Sequence, residues 1–304
     1  MTDKSNRKIC MNGTMVPYND AKISVGAVAL KYGAQVFEGI RCYRKEGKRQ
    51  FNILALRKHV DRLFDSCRLM RMEMPYTPEQ VMGQVMETIA ANELTEDSYV
   101  RLAASVEGDG PIHTTGPVLV TIAAFHQARK DFPKGQRVCI NGWQRISDAQ
   151  MPPRVKCVAN YQNGRLAVMQ AKADGYDNVL LTDARGKVCE APTATFFIVR
   201  DGKLITPPVT DGILESITRE LIIKLAKRNG IEVIERSVDR TELYMAQSAF
   251  FCGTGAEVLA IAEVDKFEIN TIECEIFRTL KEQYFHVARG DDTDFADTIF
   301  TMNF

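Results

Sequence analysis

Residues 155–164 read VKCVANYQNG, which places a lysine among small apolar residues and a tyrosine five positions further on. A lysine on the protein surface needs no such neighbours, because water solvates its ammonium group. A buried lysine is costly unless it is paired or neutral, and a partly desolvated amine loses its proton more readily and becomes a nucleophile. Since most lysines are exposed, these ten residues alone favour a surface lysine, and the rest of the chain has to decide the role of Lys156.

The size and composition of the chain are typical of a globular protein with about two domains. Of its 304 residues, 45% are hydrophobic and 26% are charged. Lysine plus arginine and aspartate plus glutamate both total 39, so the charge favours neither nucleic acid nor an anionic membrane as a partner. The opening MTDKSNRKICMNG has no apolar signal region, and no stretch approaches ~18 uninterrupted apolar residues. We therefore expect a cytoplasmic protein without nucleic-acid or membrane partners.

Cysteine and histidine residues are scattered along the chain. The eight cysteines form no C-x-x-C pair, so we expect reduced thiols rather than a disulfide framework or a zinc site. Only four histidines are present, which gives little support to a histidine-rich metal centre or to activation of a nucleophile by histidine. We expect no bound metal.

Turn signals and hydrophobic spacing predict a small N-terminal domain over residues 1–127. Apolar residues at helical spacing from Leu56 to Cys67 predict one helix, and a capping-box pattern from Thr77 to Gln80 begins another. The predicted elements are strands within 12–25, a hairpin over 36–53, helices over 55–70 and from 78, and strands over 98–106 and 117–125. The polar residues 128–136 form the predicted interdomain loop.

Residues 137–304 predict a second, larger domain that also mixes strands and helices. The lysine segment runs into a helix near 165–174, and Glu190 falls within a predicted strand. The other predicted elements are a strand meander over 178–208, a helix over 213–230, a strand over 231–238 and a strand–turn–strand over 248–264. We therefore expect two α/β or α+β domains with a cleft between them, where small-molecule sites usually lie.

Seven short motifs in this chain together resemble one enzyme family. They are Tyr32-Gly33 with VFEGIR at 36–41, Lys156 with Asn160-Tyr161, Gly175-Tyr176-Asp177, Glu190, Thr206-Pro207-Pro208, Ile217-Thr218-Arg219 and Gly253-Thr254. In this order the chain resembles the class-IV aminotransferases, which are fold-type IV pyridoxal 5'-phosphate enzymes, and VFEGIR is most similar to the branched-chain amino acid aminotransferases. The resemblance extends from about residue 12 to about residue 266. It implies a two-domain, D-amino acid aminotransferase-like fold with the active site in the interdomain cleft.

The resemblance implies that Lys156 is the catalytic residue and also binds the cofactor. It would hold pyridoxal 5'-phosphate covalently, and later carry the proton between the substrate α-carbon and the cofactor C4' atom. Since the amine must attack in its uncharged form, the apolar neighbours of Lys156 would keep it reactive. By the same resemblance, Tyr161 lies near the phenolic oxygen of the cofactor, and Glu190 pairs with its ring nitrogen and keeps that nitrogen protonated.

Family resemblance also assigns the phosphate and substrate contacts. The residues implied for the phosphate are Arg62, Ile217, Thr218 and Thr254, and Ile217 and Thr218 begin a predicted helix whose free N–H groups favour an anion. The residues implied for the substrate are Tyr32, Phe37, Arg41, Arg101 and the turn Thr254-Gly255-Ala256. The turn would bind the α-carboxylate, whereas Arg41 and Arg101 would help the pocket accept the γ-carboxylate of glutamate.

The implied reaction moves the amino group of L-leucine, L-isoleucine or L-valine to 2-oxoglutarate in a ping-pong cycle. The implied assembly is a homodimer or a larger homo-oligomer, in which residues such as Tyr32 can reach the site of the neighbouring subunit. Alternatives with the same fold are a D-amino acid or (R)-amine aminotransferase and an aminodeoxychorismate lyase. A catalytically silent homologue that serves as a binding subunit is a third alternative.

Several positions depart from the usual branched-chain pattern. They are Val28, Leu102, Gln127, Ala194-Thr195, Glu215-Ser216 and the last stretch from about residue 270. None of them changes Lys156 or Glu190, so they bear on the choice of substrate rather than on the cofactor.

Overall fold

The computed structural model describes residues 6–45, 47–48, 50–129 and 132–303. The chain divides into two compact units, each of which contains both strands and helices. The first unit comprises Met1–Arg129, Val155–Ala159 and Val287–Phe304, and the second comprises Lys130–Arg154 and Asn160–His286.

The helices and strands are numbered in chain order. The helices are α1 (Val28–Tyr32), α2 (Leu56–Leu69), α3 (Pro78–Ala91), α4 (Tyr161–Ala173), α5 (Ile217–Arg228), α6 (Arg240–Leu243) and α7 (Glu275–Ala288). The strands are β1 (Lys8–Met11), β2 (Thr14–Pro17), β3 (Gln35–Arg44), β4 (Gln50–Leu54), β5 (Ser98–Val106), β6 (Val118–His126), β7 (Gln136–Gln144), β8 (Asn178–Thr182), β9 (Lys187–Val188), β10 (Thr195–Arg200), β11 (Lys203–Thr206), β12 (Val233–Glu235), β13 (Val238–Asp239), β14 (Ser248–Gly253), β15 (Glu257–Val264), β16 (Phe267–Glu268) and β17 (Ile299–Asn303).

The first unit is built on a sheet with the strand order β17-β4-β3-β5-β6-β1-β2. The predicted hairpin over 36–53 is confirmed, because β3 pairs antiparallel with β4. Of the short strands predicted within 12–25, a range that the structure describes in full, only β2 is present, because Tyr18–Asp20 forms a 3-10 turn and no strand follows it before residue 25. Strand β2 pairs antiparallel with β1 across Asn12-Gly13, and both turn residues have positive φ, at 46° and 79°. Positive φ at both central residues is the geometry of the two-residue turn that matches the twist of a hairpin.

Helices α2 and α3 share a core with one face of this sheet. Alternate residues of β3, namely Val36, Ile40 and Cys42, are buried in the same cluster as the apolar residues of both helices. The predicted capping box is present: the backbone N–H of Gln80 donates to Thr77 Oγ1, and the backbone N–H of Thr77 donates to Gln80 Oε1. Local sequence signals were therefore sufficient to locate these two helices.

Two later segments join the first unit, whereas the sequence predicted a continuous division into residues 1–127 and 137–304. Strand β17 pairs antiparallel with β4, with Ile299 opposite Leu54. The segment Val155–Ala159 runs beside the beginning of β3, where Cys157 forms an antiparallel bridge with Val36. Both additions result from main-chain pairing between residues far apart in sequence, which hydrophobic periodicity does not detect.

The second unit is built on a sheet with the order β12-β11-β10-β14-β15-β7-β8-β9-β13, with β16 also paired to β15. The predicted strand–turn–strand over 248–264 is confirmed as β14 and β15. The predicted helix near 165–174 is α4, which begins earlier, at Tyr161. Apolar residues of α4 and of strands β7 and β8 form one small core.

The predicted strand containing Glu190 is wrong in its extent. Strand β9 ends at Val188 and β10 begins at Thr195, so Glu190 lies in the connection between them. There the N–H of Ala191 donates to the carbonyl of Ala194, which closes a tight turn over Pro192. Proline cannot donate a ladder hydrogen bond, and this explains why the strand is interrupted here.

All eight cysteines are free thiols, and every one except Cys274 is buried. Over the ranges that the structure describes, none of the helices is both long and apolar enough to cross a membrane.

Candidate active site

The lysine segment is fixed in the first unit by its backbone. The N–H of Lys156 donates to Ser66 Oγ of α2 at 3.3 Å, and its carbonyl accepts from the N–H of Phe37 of β3 at 3.0 Å. The thiol of Cys157 lies 3.3 Å from the carbonyl oxygen of Gly33. Lys156 is half-buried, and these contacts fix its backbone at the beginning of β3.

One face of the first sheet carries aromatic and cationic side chains. Side chains alternate along a strand, so Phe37, Gly39 and Arg41 share the face opposite to the helical core, together with the paired Tyr99 and Arg101 of β5. The guanidinium carbon of Arg101 lies 3.3 Å from the ring centroid of Phe37, and the Lys156 amine lies 5.0 Å from the same centroid. This face therefore places an amine and a guanidinium against one buried aromatic ring.

Gly39 is required for this arrangement. A Cβ atom at position 39 would lie 1.7 Å from the hydroxyl oxygen of Tyr99. The Tyr99 hydroxyl thus occupies the space above Gly39, between Phe37 and Arg41 along the strand. Only glycine leaves room for it.

Arg41, one of the predicted substrate residues, is completely buried. Its Nη1 group donates to the backbone carbonyl of Gln127, and its guanidinium carbon lies 5.8 Å from the ring centroid of Tyr43. Its contact with a substrate carboxylate stays a prediction.

On the opposite face of β3, Glu38 forms a buried ion-pair network with α2. Its carboxylate receives hydrogen bonds from Arg62 Nε and Nη2, both at 2.7 Å, and from His59 Nδ1 at 2.8 Å. Arg62 is the predicted phosphate ligand, and these two bonds fix the plane of its guanidinium group. They use two of the five N–H groups of an arginine side chain.

The electrostatics of this network can be derived from its contacts. Burial alone would raise the pKa of Glu38, but the charge and hydrogen bonds of Arg62, together with His59, outweigh burial and lower the pKa to about 2. Burial lowers the pKa of His59; the hydrogen bond and charge of Glu38 oppose this shift, and the charges of Arg62 and Lys156 add to it, so the pKa stays below its usual value. Glu38 is therefore a carboxylate and His59 a neutral ring that donates its Nδ1 proton.

In the second unit, Glu190 is held by neighbours that favour its charged form. Its side chain is only 6% exposed, and its Oε1 atom lies 2.8 Å from Arg145 Nη2. The same oxygen accepts the backbone N–H of Leu214 at 3.2 Å, and the Glu190 carbonyl accepts the N–H of Leu181 at 3.0 Å. A buried carboxylate with these donors can pair with a protonated nitrogen, which is the role predicted for Glu190.

The predicted phosphate residues of the second unit lie at the beginning of α5 and in the turn between β14 and β15. Ser216 caps α5, because its Oγ accepts the N–H of Arg219 at 3.2 Å. The first-turn N–H groups of Ile217 and Thr218 have no acceptor within the helix, so this end of α5 favours an anion. Thr254, Gly255 and Ala256 form the half-buried turn between β14 and β15.

Two predicted aromatic residues occupy the ends of helices. Tyr161 is the first residue of α4 and is half-buried. Tyr32 is the last residue of α1 and is 49% exposed. The structure thus brings Lys156, Phe37 and Arg101 together on one face of the first sheet and holds Arg62 at Glu38 on the opposite face of β3. Glu190, Tyr161, Ile217, Thr218 and the 254–256 turn lie within the second unit.

These donor groups fit the chemistry of pyridoxal 5'-phosphate. The partly buried amine of Lys156 suits an aldehyde, the buried carboxylate of Glu190 suits a protonated ring nitrogen, and the end of α5 suits a phosphate group.

Sequence reasoning missed Glu38, His59, Tyr99 and Arg145. A signal was present for Glu38, because it alternates with the apolar Val36 and Ile40 and so occupies the buried face of its strand. The exposure of His59 and Tyr99 could not be judged from their local sequence. Arg145 reaches Glu190 across 45 positions, and no local pattern indicates that contact.

Comparison with known proteins places these features in context. The sequence matches the amino-transferase class IV family over residues 35–264. A probable branched-chain-amino-acid aminotransferase from Aquifex aeolicus is 36% identical over 284 residues, which cover 91% of each chain. The crystal structure of a branched-chain aminotransferase from Thermoproteus uzoniensis with norvaline has a TM-score of 0.93 and 35% identity, and covers 97% of this chain and 99% of that one. The branched-chain amino acid aminotransferase from Thermobaculum terrenum in its PLP-form has a TM-score of 0.92 and 34% identity, and covers 98% and 99%.

Proposed function

The chain belongs to the amino-transferase class IV family, and on that basis we propose that it is a pyridoxal-phosphate-dependent aminotransferase of branched-chain L-amino acids. The amino group moves from L-leucine, L-isoleucine or L-valine to 2-oxoglutarate in a ping-pong cycle. The relatives described above are branched-chain aminotransferases that span nearly the whole chain, which supports this substrate class.

Lys156 is the proposed catalytic residue. Its Nζ atom would hold the cofactor covalently, and once the substrate amine displaces it, the freed amine would move a proton between the substrate α-carbon and the cofactor C4' atom. Pyridoxal 5'-phosphate, when bound, supplies an electron sink that stabilises negative charge on the substrate α-carbon. Ser66 and Phe37 fix the backbone of Lys156, so the amine moves only through its own side-chain torsions.

The remaining cofactor contacts are assigned from family membership. Glu190 pairs with the ring nitrogen, and Tyr161 interacts with the phenolic oxygen. The phosphate contacts are Arg62, Ile217, Thr218 and Thr254. Family membership supports the assignment of the ring contacts and the phosphate contacts to one cofactor. The Glu38 network supports the role of Arg62 as a phosphate ligand, because it fixes the plane of the guanidinium group.

The substrate assignment rests on two contacts of the Phe37 ring, one with the guanidinium group of Arg101 and one with the amine of Lys156. An apolar ring suits the side chain of leucine, whereas Arg101, which lies 3.3 Å from that ring centroid, suits the γ-carboxylate of glutamate. An enzyme with a ping-pong cycle must accept both side chains in turn. Tyr32, Phe37 and Arg41 complete the proposed substrate contacts, and the 254–256 turn receives the α-carboxylate.

The proposed assembly is a homodimer or a larger homo-oligomer in the cytoplasm. Helix α1 and the loop after β5 are joined by an ion pair of 2.7 Å between Lys31 and Asp109. The same region exposes Val25, Leu30, Tyr32 and Ile112, with exposed fractions of 84%, 60%, 49% and 70%. Apolar side chains exposed together often mark an interface between subunits. Light scattering coupled to size exclusion tests this, and a purely monomeric protein would contradict it.

A substrate panel tests the function. Purified protein is incubated with L-amino acids, D-amino acids or (R)-amines, each with 2-oxoglutarate or pyruvate, and the 2-oxo acid or ketone products are quantified. We expect the highest kcat/KM for branched-chain L-amino acids with 2-oxoglutarate. A preference for D-amino acids or (R)-amines would assign the protein to another branch of the family. The absence of any amino-group transfer would support the alternative of a catalytically silent homologue.

A further inference from the structure

Arg145 and Glu190 belong to a closed set of contacts in the second unit. Arg145 Nε donates to the carbonyl oxygen of Gly212 at 3.0 Å, and its Nη2 lies 2.8 Å from Glu190 Oε1. Two residues after Gly212, the N–H of Leu214 donates to the same Glu190 oxygen. The segment 212–214 therefore contacts both side chains: Gly212 binds Arg145 and Leu214 binds Glu190. Displacement of either side chain would break its bond to this segment.

The neighbouring charged groups are paired elsewhere. Asp183 and Asp211 lie 2.6 Å and 2.7 Å from Arg185, and Arg219 lies 2.7 Å from Glu235. Arg145, which is only 8% exposed, therefore supplies the close positive charge beside Glu190.

The two thiols near Glu190 carry no charge. Burial raises the pKa of Cys189, and burial raises the pKa of Cys252 to about 12. Both cysteines are thus neutral at physiological pH, so neither places a negative charge beside Glu190.

A carboxylate paired with a pyridine nitrogen has two forms. In one form the oxygen is ionised and the nitrogen holds the proton, and in the other form a neutral acid faces a neutral nitrogen. Burial disfavours the charged form, whereas a cation beside the carboxylate stabilises it. We propose that Arg145 is a positioning residue that keeps Glu190 ionised, so that the shared proton resides on the cofactor ring nitrogen. This inference rests on the proposed function.

The test measures the protonation state of the ring directly. Wild-type protein and Arg145→Met are reconstituted with pyridoxal 5'-phosphate carrying ¹⁵N in its ring, and the ¹⁵N chemical shift is recorded. We expect the shift of a protonated pyridine in the wild type and a change towards the neutral value in the variant. Arg219→Met, which also removes a buried arginine from an ion pair, is the matched control and keeps the protonated signal. An Arg145→Met spectrum identical to the wild type would overturn the inference.

A binding comparison separates this role from a purely structural one. The 1-deaza analogue of the cofactor has carbon in place of the ring nitrogen, so it cannot share a proton with Glu190. We expect Arg145→Met to weaken binding of pyridoxal 5'-phosphate by about tenfold, or ~1.4 kcal/mol, and to leave binding of the analogue unchanged. An equal loss for both compounds would overturn the inference, because the arginine would then act only on the fold.

Two further outcomes are informative. If circular dichroism shows that Arg145→Met is unfolded, Arg145→Gln is used for the same two comparisons, because it is also uncharged but retains a donor. If the wild type binds neither compound, the proposed function fails and this inference fails with it. If the wild type binds the cofactor at Lys156 and the variants retain a protonated ring, only this inference fails.

Discussion

Glu38 links the stability of the first unit to the geometry of the proposed phosphate site. Its carboxylate is completely buried and holds both Arg62 and His59. Removal of one partner from a buried ion pair leaves an uncompensated charge and typically costs ~3–5 kcal/mol. We expect Glu38→Gln to lower the free energy of unfolding by about this amount, measured by urea denaturation at neutral pH. The matched control is Glu79→Gln, because the Arg57–Glu79 pair is exposed and such pairs contribute ~0–1 kcal/mol.

The same carboxylate predicts a specific acid sensitivity. The pKa of Glu38 is lowered from 4.5 to about 2 in the folded protein, so its contribution to stability is fully present above about pH 4.5. That contribution, roughly 3 kcal/mol, is lost as the pH falls from 4.5 towards 2, because the unfolded chain binds the proton first. Unfolding free energies of the wild type and Glu38→Gln should therefore converge over this range. A difference that stays constant down to pH 2 would show that Glu38 is not the group responsible.

Arg101 is the residue whose replacement should separate the two half-reactions. Its guanidinium lies against the Phe37 ring, so Arg101→Leu removes the proposed partner of the γ-carboxylate and retains an apolar contact. Hydrogen bonds to charged groups contribute ~1.5–3 kcal/mol, so we expect the single-turnover efficiency with L-glutamate to fall by about 10- to 150-fold. The efficiency with L-leucine should be retained. Arg101→Lys serves as the charge-preserving control, and equal losses with both amino acids would refute the assignment.

Helix α4 depends on close contact with the turn that follows Glu190. A Cβ atom at Gly164 would lie 2.7 Å from Pro192 Cβ, so the helix can approach this turn only if position 164 has no side chain. We expect Gly164→Ala to displace the turn, to lower the melting temperature and to weaken cofactor binding. Gly83→Ala is the matched control: it also lies inside a helix, but its Cβ would meet no atom within 4 Å. Since alanine favours a helix over glycine by ~0.5–1 kcal/mol, the control should be slightly stabilised. Two variants of equal stability would contradict this packing argument.

Elements with strong local signals were predicted correctly, whereas those defined by distant contacts were not. The capping box at Thr77 and the turn at Asn12-Gly13 act within a few residues, so the sequence shows them directly. Glu190 was predicted within a strand that runs into the β-favouring residues 195–199, and Pro192 was the signal against that prediction. The charged side chain of Glu38 on a buried strand face was readable, but its partners on α2 depend on the packing of helix on sheet.

The same limit applies to the course of the whole chain. Family resemblance identified Lys156 and Glu190 from motifs, but no pattern in the sequence indicated that the segment around Lys156 joins the first unit through Phe37 and Ser66. Nor did the apolar end of the chain indicate that β17 becomes an edge strand paired with β4. Such pairings are decided by long-range contacts, which compete with each other during folding and leave only a weak local signature.

Strand β17 predicts that the stability of the first unit depends on the end of the chain. Met302 lies opposite Phe51, about 250 positions earlier in the sequence, and the alternation that starts at the bond from Ala55 N–H to the Thr298 carbonyl makes this a hydrogen-bonded pair. Met302→Pro should lower the melting temperature, because proline restricts φ and lacks the N–H group that this position donates to β4. Thr301→Pro is the control, since the N–H of Thr301 points away from β4 and proline is tolerated at such a position of an edge strand. If both variants have the same melting temperature as the wild type, β17 does not stabilise this unit.

The central claim is that the amine of one residue, Lys156, holds pyridoxal 5'-phosphate covalently. The most direct measurement is reduction of the cofactor-loaded protein with borohydride, followed by proteolysis and mass spectrometry of the peptides. We predict a single phosphopyridoxyl group on the peptide that contains Lys156, and its loss in Lys156→Ala. Attachment to another lysine, or no attachment at all, would contradict the account.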